Sequence, residues 1–206
     1  MQIKEVNQYF GNLDIYLLDQ ILKERFHPSM KVLDAGCGEG RNLTYFLNSG
    51  YEVYGIDQNP EAIRILKFLA ASKRPDMDEG HFVNGLIENM PYQNQEFDLV
   101  IASAVLHFAH DHQHFQKMFQ ELARCLKPSG ILFMRMTSNI GLTFSPEALG
   151  AGRFLLPDGT ERYLLEKAML VQLMEKHHME YLEPLKTVHV AELRSMSTIV
   201  LGKVAG

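Results

Sequence analysis

Residues 32–42 read VLDAGCGEGRN, an apolar run that ends in three glycines spaced two apart and opens into a helix-patterned segment, 42–47, that stops at Gly50. A strand that passes into a helix through glycines needs backbone angles other residues avoid, and the missing side chains let a ligand lie directly on the main chain. The segment therefore predicts a strand, turn and helix that form one edge of a binding crevice. A dinucleotide fingerprint would place its third glycine at position 41, where Arg41 stands; Gly40 makes the pattern G-x-G-x-G instead, which disfavours NAD.

The alternation recurs along the chain. Residues 52–56 read as a second strand, and Asn59 with Pro60 supplies an N-cap and a pre-set first helical position ahead of AIRILKFLAA. Residues 81–84 read as a weak third strand, and 98–103, DLVIAS, as a strand apolar throughout, as a central parallel strand covered on both faces must be. Asp111 can cap a helix striped by Phe115, Met118, Phe119, Leu122 and Leu126, which residues 127–130 close before the strand ILFMRM. Upstream, 13–26 has the apolar spacing of an amphipathic helix. Downstream, 138–159 reads as a Gly- and Pro-containing loop with turns at 150–152 and 157–159. A helix over 161–177, with Leu164, Leu165, Ala168, Met169 and Leu173 on one face, and β-like runs at 181–190 and 195–203 complete the chain. Strands alternating with helices predict an α/β doubly wound sheet with an antiparallel pair at the carboxyl end.

With 206 residues, 46% hydrophobic and 22% charged, the chain is expected to form one globular domain. Residues 1–30 are read as a helical cap, 31–137 as the cofactor-binding half, and 138–206 as a loop, helix and terminal strand pair. Twenty-five acidic against 20 basic residues leave no cationic excess for a phosphate backbone, so no DNA partner is expected. The start MQIKEVNQYFGNLD lacks a signal-peptide core and no apolar run approaches the ~18 residues of a membrane span, so a cytoplasmic location and no membrane partner are expected. Cys37 and Cys125 read as two free thiols.

Asp34 stands at the leading edge of the glycine loop, where a carboxylate repels a pyrophosphate and holds a cationic ammonium. Asp57 ends the second strand about 20 residues beyond the loop, the separation at which a carboxylate takes ribose hydroxyls. The predicted ligand is a nucleoside with a positively charged tail. Together with YGIDQNP, ENMPYQNQEFDLVIASAVLHF and LKPSGILFMR, the loop resembles the class I S-adenosylmethionine-dependent methyltransferases over 32–135. The narrower likeness is to the small single-domain type 11/12 and tellurite-resistance type groups. The resemblance implies a Rossmann-like, doubly wound, seven-stranded sheet, mostly parallel with an antiparallel strand near the carboxyl end and helices on both faces. It implies S-adenosyl-L-methionine as cofactor, with Asp34 and the backbone of Gly36, Gly38 and Gly40 on the methionine part, Asp57 on the ribose, Gln58 on one adenine face, and Leu86 with Ile87 on the adenine edge. Cys37 within the loop and Ser103 at the end of the middle strand complete the implied set. Many members of the family carry Asp where Leu86 stands, so the adenine amino group must find a backbone or water partner here.

Methyl transfer from a sulfonium disperses charge, so alignment and desolvation can carry it without a covalent nucleophile. That suits a sequence with no G-x-S-x-G elbow. His107, just after the central strand, is the candidate catalytic residue, as a base for an acceptor hydroxyl, amine or thiol, or as a residue that shapes the pocket. Residues 110–114, HDHQH, invite a metal reading, but His112 and His114 point apart on a helical period, so a solvated helix cap is preferred and no metal site is assigned. Tyr9, Phe10 and Tyr16 are candidates for a lid, and Arg153, Arg162 and Arg194 for contacts to an acidic acceptor. The reading is a methyltransferase acting on a small-molecule acceptor by in-line displacement, a monomer or homodimer. A noncatalytic S-adenosylmethionine-binding protein, a protein or RNA methyltransferase with a basic groove around Arg41, Lys67, Lys73 and Arg74, and an NAD(P)-binding oxidoreductase are the alternatives.

Overall fold

A computed structural model of the chain describes residues 2–204. In chain order its elements are α1 (Ile3–Phe10), α2 (Ile15–Leu22), β1 (Lys31–Ala35), α3 (Thr44–Asn48), β2 (Glu52–Asp57), α4 (Pro60–Lys73), β3 (Phe82–Asn84), β4 (Phe97–Ser103), α5 (His112–Cys125) and β5 (Leu126–Thr137). There follow β6 (Glu147–Gly150), β7 (Arg153–Leu155), β8 (Glu161–Tyr163), α6 (Lys167–Lys176), β9 (Met179–Tyr181), β10 (Lys186–Val190) and β11 (Arg194–Lys203).

Alternate residues of the central strands are apolar in both directions, so each face of the sheet needs its own cover. Leu33, Val100, Ala102, Leu132 and Met134 point to one side and pack with Phe115, Phe119 and Leu122 of α5 and Leu170 and Leu173 of α6. Val32, Val53, Leu99, Ile101 and Phe133 point to the other and pack with Leu17, Phe46, Ile63 and Leu66 of α2, α3 and α4. The main sheet runs β10–β11–β5–β4–β1–β2–β3, with β1 to β5 parallel and β11 antiparallel to both β5 and β10. This is the expected seven-stranded, doubly wound sheet; short β9 pairs with the end of β11 as an eighth strand. Winding reverses between β1 and β4, which opens a crevice at their carboxyl ends.

Several expectations give way to tertiary pairing. Residues 138–159 are not simply a loop: β6, β7 and β8 form a separate three-stranded antiparallel sheet, with the turns at 150–152 and 157–159 joining its strands. The helix expected from 161 begins at Lys167, because Glu161–Tyr163 pairs with β7 and Leu165 N bonds Thr137 O at 3.1 Å. Its buried face is Leu170, Leu173 and Met174, while Ala168 is exposed. The first amphipathic stretch ends as α2 at Leu22 rather than at residue 26; Glu24 turns left-handed at φ 55° and Phe26 enters the core from a loop. Leu126 leaves the α5 stripe to start β5 directly. Of the expected β run 181–190, only Tyr181 and 186–190 are in strands.

Candidate active site

The turn after β1 is held from beneath by β2, since Gly36 N and Cys37 N both donate to Ile56 O, at 2.8 and 3.1 Å. Gly36 has φ +77°, and a Cβ built on it would stand 2.3 Å from Val105 Cγ2, so only glycine lets the loop after β4 come this close. A Cβ on Gly38 would meet nothing within 4 Å, so this side of the loop is open to a ligand. Gly38 N donates to Asp57 Oδ2 at 2.8 Å and Asn59 N to Asp57 Oδ1 at 2.9 Å. One carboxylate at the end of β2 thereby fixes the glycine loop and keeps a second lone pair on each oxygen for a ligand.

Asp34 is 1% exposed, and neither of its carboxylate oxygens has a hydrogen-bond partner. Burial raises its pKa to about 7, against the opposing influence of Arg41 and with a smaller push from Asp57. A buried carboxylate with both oxygens free, next to open main chain, fits a ligand ammonium group. The methionine end of S-adenosylmethionine carries one, so these residues fit that cofactor. Alongside, Asp14 is a buried hub that the sequence reading missed. Its Oδ2 accepts from Ser103 Oγ at 3.1 Å and from Arg135 at 3.3 Å, with Arg41 at 3.7 Å. Asp14 also caps α2 by accepting from Tyr16 N, a role that an Asp before an apolar helical run could have signalled.

A cavity of about 660 Å³ opens at the switch point. Gly36, Asp57, Gln58, Leu86, Ile87, His107 and Arg153 line it, so seven of the candidate site residues meet there. Asp34, Cys37, Gly38, Gly40, Ser103, Arg162 and Arg194 do not line it. Gly40 instead packs under α4, where its Cβ would meet Leu66 Cδ1 at 2.4 Å, and the Cys37 thiol is buried and pushed well up in pKa, chiefly by desolvation. The far wall holds lining residues that were not anticipated from sequence, among them Glu88, Val105, Phe108, Met118 and Glu161. Ala104 takes a left-handed backbone, φ 61°, where the chain turns out of β4 toward this wall.

His107 is 7% exposed, and its Nδ1 has no partner. Burial first, then the charges of Arg162, Arg194 and Arg135, lower its pKa to about 4, so the ring is neutral at pH 7 and a much weaker base than a free imidazole. The HDHQH segment is more than a solvated cap. Asp111 does cap α5 by accepting from His114 N at 2.7 Å, but His112 Nδ1 shares a 3.0 Å hydrogen bond with Tyr163 Oη. His110 and His114 line the cavity, with His114 Nε2 3.3 Å from Glu88. The lid candidates lie elsewhere: Phe10 stacks on Tyr45 of α3, Tyr9 bonds Ser49 at 2.8 Å, and Tyr16 packs under Arg135. None of the three lines the cavity.

The methyltransferase domain family matches residues 33–134. An uncharacterized methyltransferase of Synechocystis is 35% identical over 119 residues, 53% of this chain and 52% of that protein. A phthiotriol/phenolphthiotriol dimycocerosates methyltransferase of Mycobacterium leprae is 31% identical over 104 residues, 50% of this chain and 36% of that protein. The chain thus spans about half the length of the first relative and about a third of the second. A solved S-adenosylmethionine-dependent methyltransferase from Methanosarcina mazei has the same fold, with a TM-score of 0.73 at 22% identity, over 90% of this chain and 98% of that one. The sheet order and the loop that carries Asp34 agree with the family match, and residues 33–134 form a methyltransferase domain.

Proposed function

We propose that the chain transfers a methyl group to a small-molecule acceptor in the 660 Å³ cavity, by direct in-line displacement. S-adenosylmethionine supplies an electrophilic methyl on a sulfonium. Asp34 would hold the ammonium of the cofactor and Asp57 its ribose, with Gln58, Leu86 and Ile87 around the adenine. An acceptor hydroxyl or amine held in line would take that methyl group, with S-adenosylhomocysteine as the leaving group. The step needs orientation and a site shielded from water more than it needs a strong base. His107, neutral and with Nδ1 free, receives the hydrogen bond of the acceptor and so sets its direction, and the proton leaves to His107 or to solvent. Residues 31–137 then act as the cofactor half of one domain, and 138–206 supply the acceptor side.

The observation that carries this reading is the buried, doubly unpartnered carboxylate of Asp34 beside an open glycine loop. A pyrophosphate cofactor would be repelled there, which weighs against the oxidoreductase alternative. The basic groove of a macromolecular methyltransferase is also poorly supported, because Arg41 pairs with Asp14, Arg74 with Asp76, and Lys73 donates to Asn48. Calorimetric titration with S-adenosylmethionine, S-adenosylhomocysteine and NADH tests the reading. The two sulfur ligands are expected to bind and NADH to fail; the reverse order overturns it.

A further inference from the structure

Arg162 is the one arginine among the described residues with no carboxylate within 4.0 Å; the other eight each have an ion-pair partner. It is half-buried on β8, donates to Glu161 O at 2.8 Å, and carries its guanidinium carbon 4.8 Å from the centre of the Phe108 ring. Phe108 lines the cavity and is 53% exposed, unusual for a large aromatic side chain beside a core. Glu161, the nearest acid in sequence, is already matched by Arg153. A partly desolvated guanidinium over an aromatic face, with its charge unanswered, is a receptor for a planar anion. The second observation is His107, which is more than nine-tenths buried on the same wall, its ring 4.6 Å from that of Phe108 and its Nδ1 free.

We propose that the acceptor is a small organic carboxylate whose anionic group pairs with Arg162, whose apolar body lies on Phe108, and whose hydroxyl or amine meets Nδ1 of His107. This assignment rests on the methyl-transfer reading and names its substrate class. It also gives the arginines a function. An anion at Arg162 offsets part of the positive charge that, after burial, holds the His107 imidazole down to about 4. The right acceptor thereby improves the proton-accepting power of the residue that receives it, and a neutral analogue of the same shape does not.

The test uses the full chain saturated with S-adenosylhomocysteine and two matched probe pairs, 4-hydroxybenzoate with 4-hydroxybenzamide and 3-phenylpropionate with 3-phenylpropionamide. Calorimetry on the wild type is expected to show each acid binding at least tenfold tighter than its amide. The preference is expected to vanish in Arg162→Gln and to return in part in Arg162→Lys. Equal affinity for acid and amide, no measurable binding of either acid, or a preference that survives in Arg162→Gln overturns the proposal. Saturation with S-adenosylhomocysteine, measured first on every variant, reports folding and the cofactor site separately; its failure in the wild type strikes the methyl-transfer reading instead.

Discussion

The two sides of the switch-point crevice solve opposite electrostatic problems. On the β1–β2 side a carboxylate is buried with nothing to bond, and a second, Asp57, is committed to two main-chain amides. On the β4–β8 side an imidazole is buried and kept neutral, next to an arginine with no acid. The first side is contiguous in sequence, with its two carboxylates lying within 24 residues of one another on two adjacent parallel strands. The second is assembled from 104–110 and 153–162, brought together through contacts such as Phe115 stacked on Tyr163. One side is thus suited to a cation, and the other to a group whose binding depends on residues distant in sequence.

The sharpest way to break this contrast is Asp34→Asn. Loss of the carboxylate is expected to weaken S-adenosylmethionine binding by roughly 100-fold, about the worth of a buried charge-assisted hydrogen bond. The same variant should melt higher than the wild type at pH 8. The pKa of Asp34 rises from its ordinary 3.8 to about 7 in the fold, so the group costs stability increasingly as pH climbs from 3.8 to 7, and Asn removes that cost. Unchanged affinity in this variant would remove the acidic side from the account.

Acidification makes the same point without mutation. Below about pH 7 Asp34 takes a proton that must leave before an ammonium can pair with it, so affinity should fall by up to tenfold per unit between pH 7 and 5.5. Calorimetry in two buffers of different ionisation heat should show proton release on binding below pH 7. A flat profile points to some other partner for the ammonium. Asp57→Ala is expected to cost about tenfold in cofactor affinity, ~1–2 kcal/mol, through lost ribose bonds and a looser Gly38 amide.

The smallest effect is expected on the opposite side. His107→Gln keeps a hydrogen-bond acceptor and removes only a weak base, so kcat, measured by methyl release, should fall fivefold or less while cofactor affinity stays within twofold. A loss of a thousandfold would make His107 an essential base and erase the idea that this side works by orientation.

The difference between the two sides also explains what could be read from the chain. Asp34, Gly36 and Asp57 declare themselves because strand, turn and helix are local, and the chemistry of each follows from its place in that unit. The alternation of strands and helices was legible for the same reason. Glu161–Tyr163 has helix-compatible spacing, yet it is a strand because β7 pairs with it across the turn at 157–159 and Thr137 accepts from Leu165 just beyond it. Asp14 and Phe108 were invisible as site residues, since a buried hub and an exposed ring depend on what folds back against them.

The separate sheet β6–β8 adds no strand to the main sheet; the chain leaves and rejoins it through the Ser138–Leu165 bridge. On the methyl-transfer reading, exchanging the part of this sheet that precedes the buried Tyr163 is expected to change which molecule is accepted, because Arg153 and Glu161 reach the cavity from it.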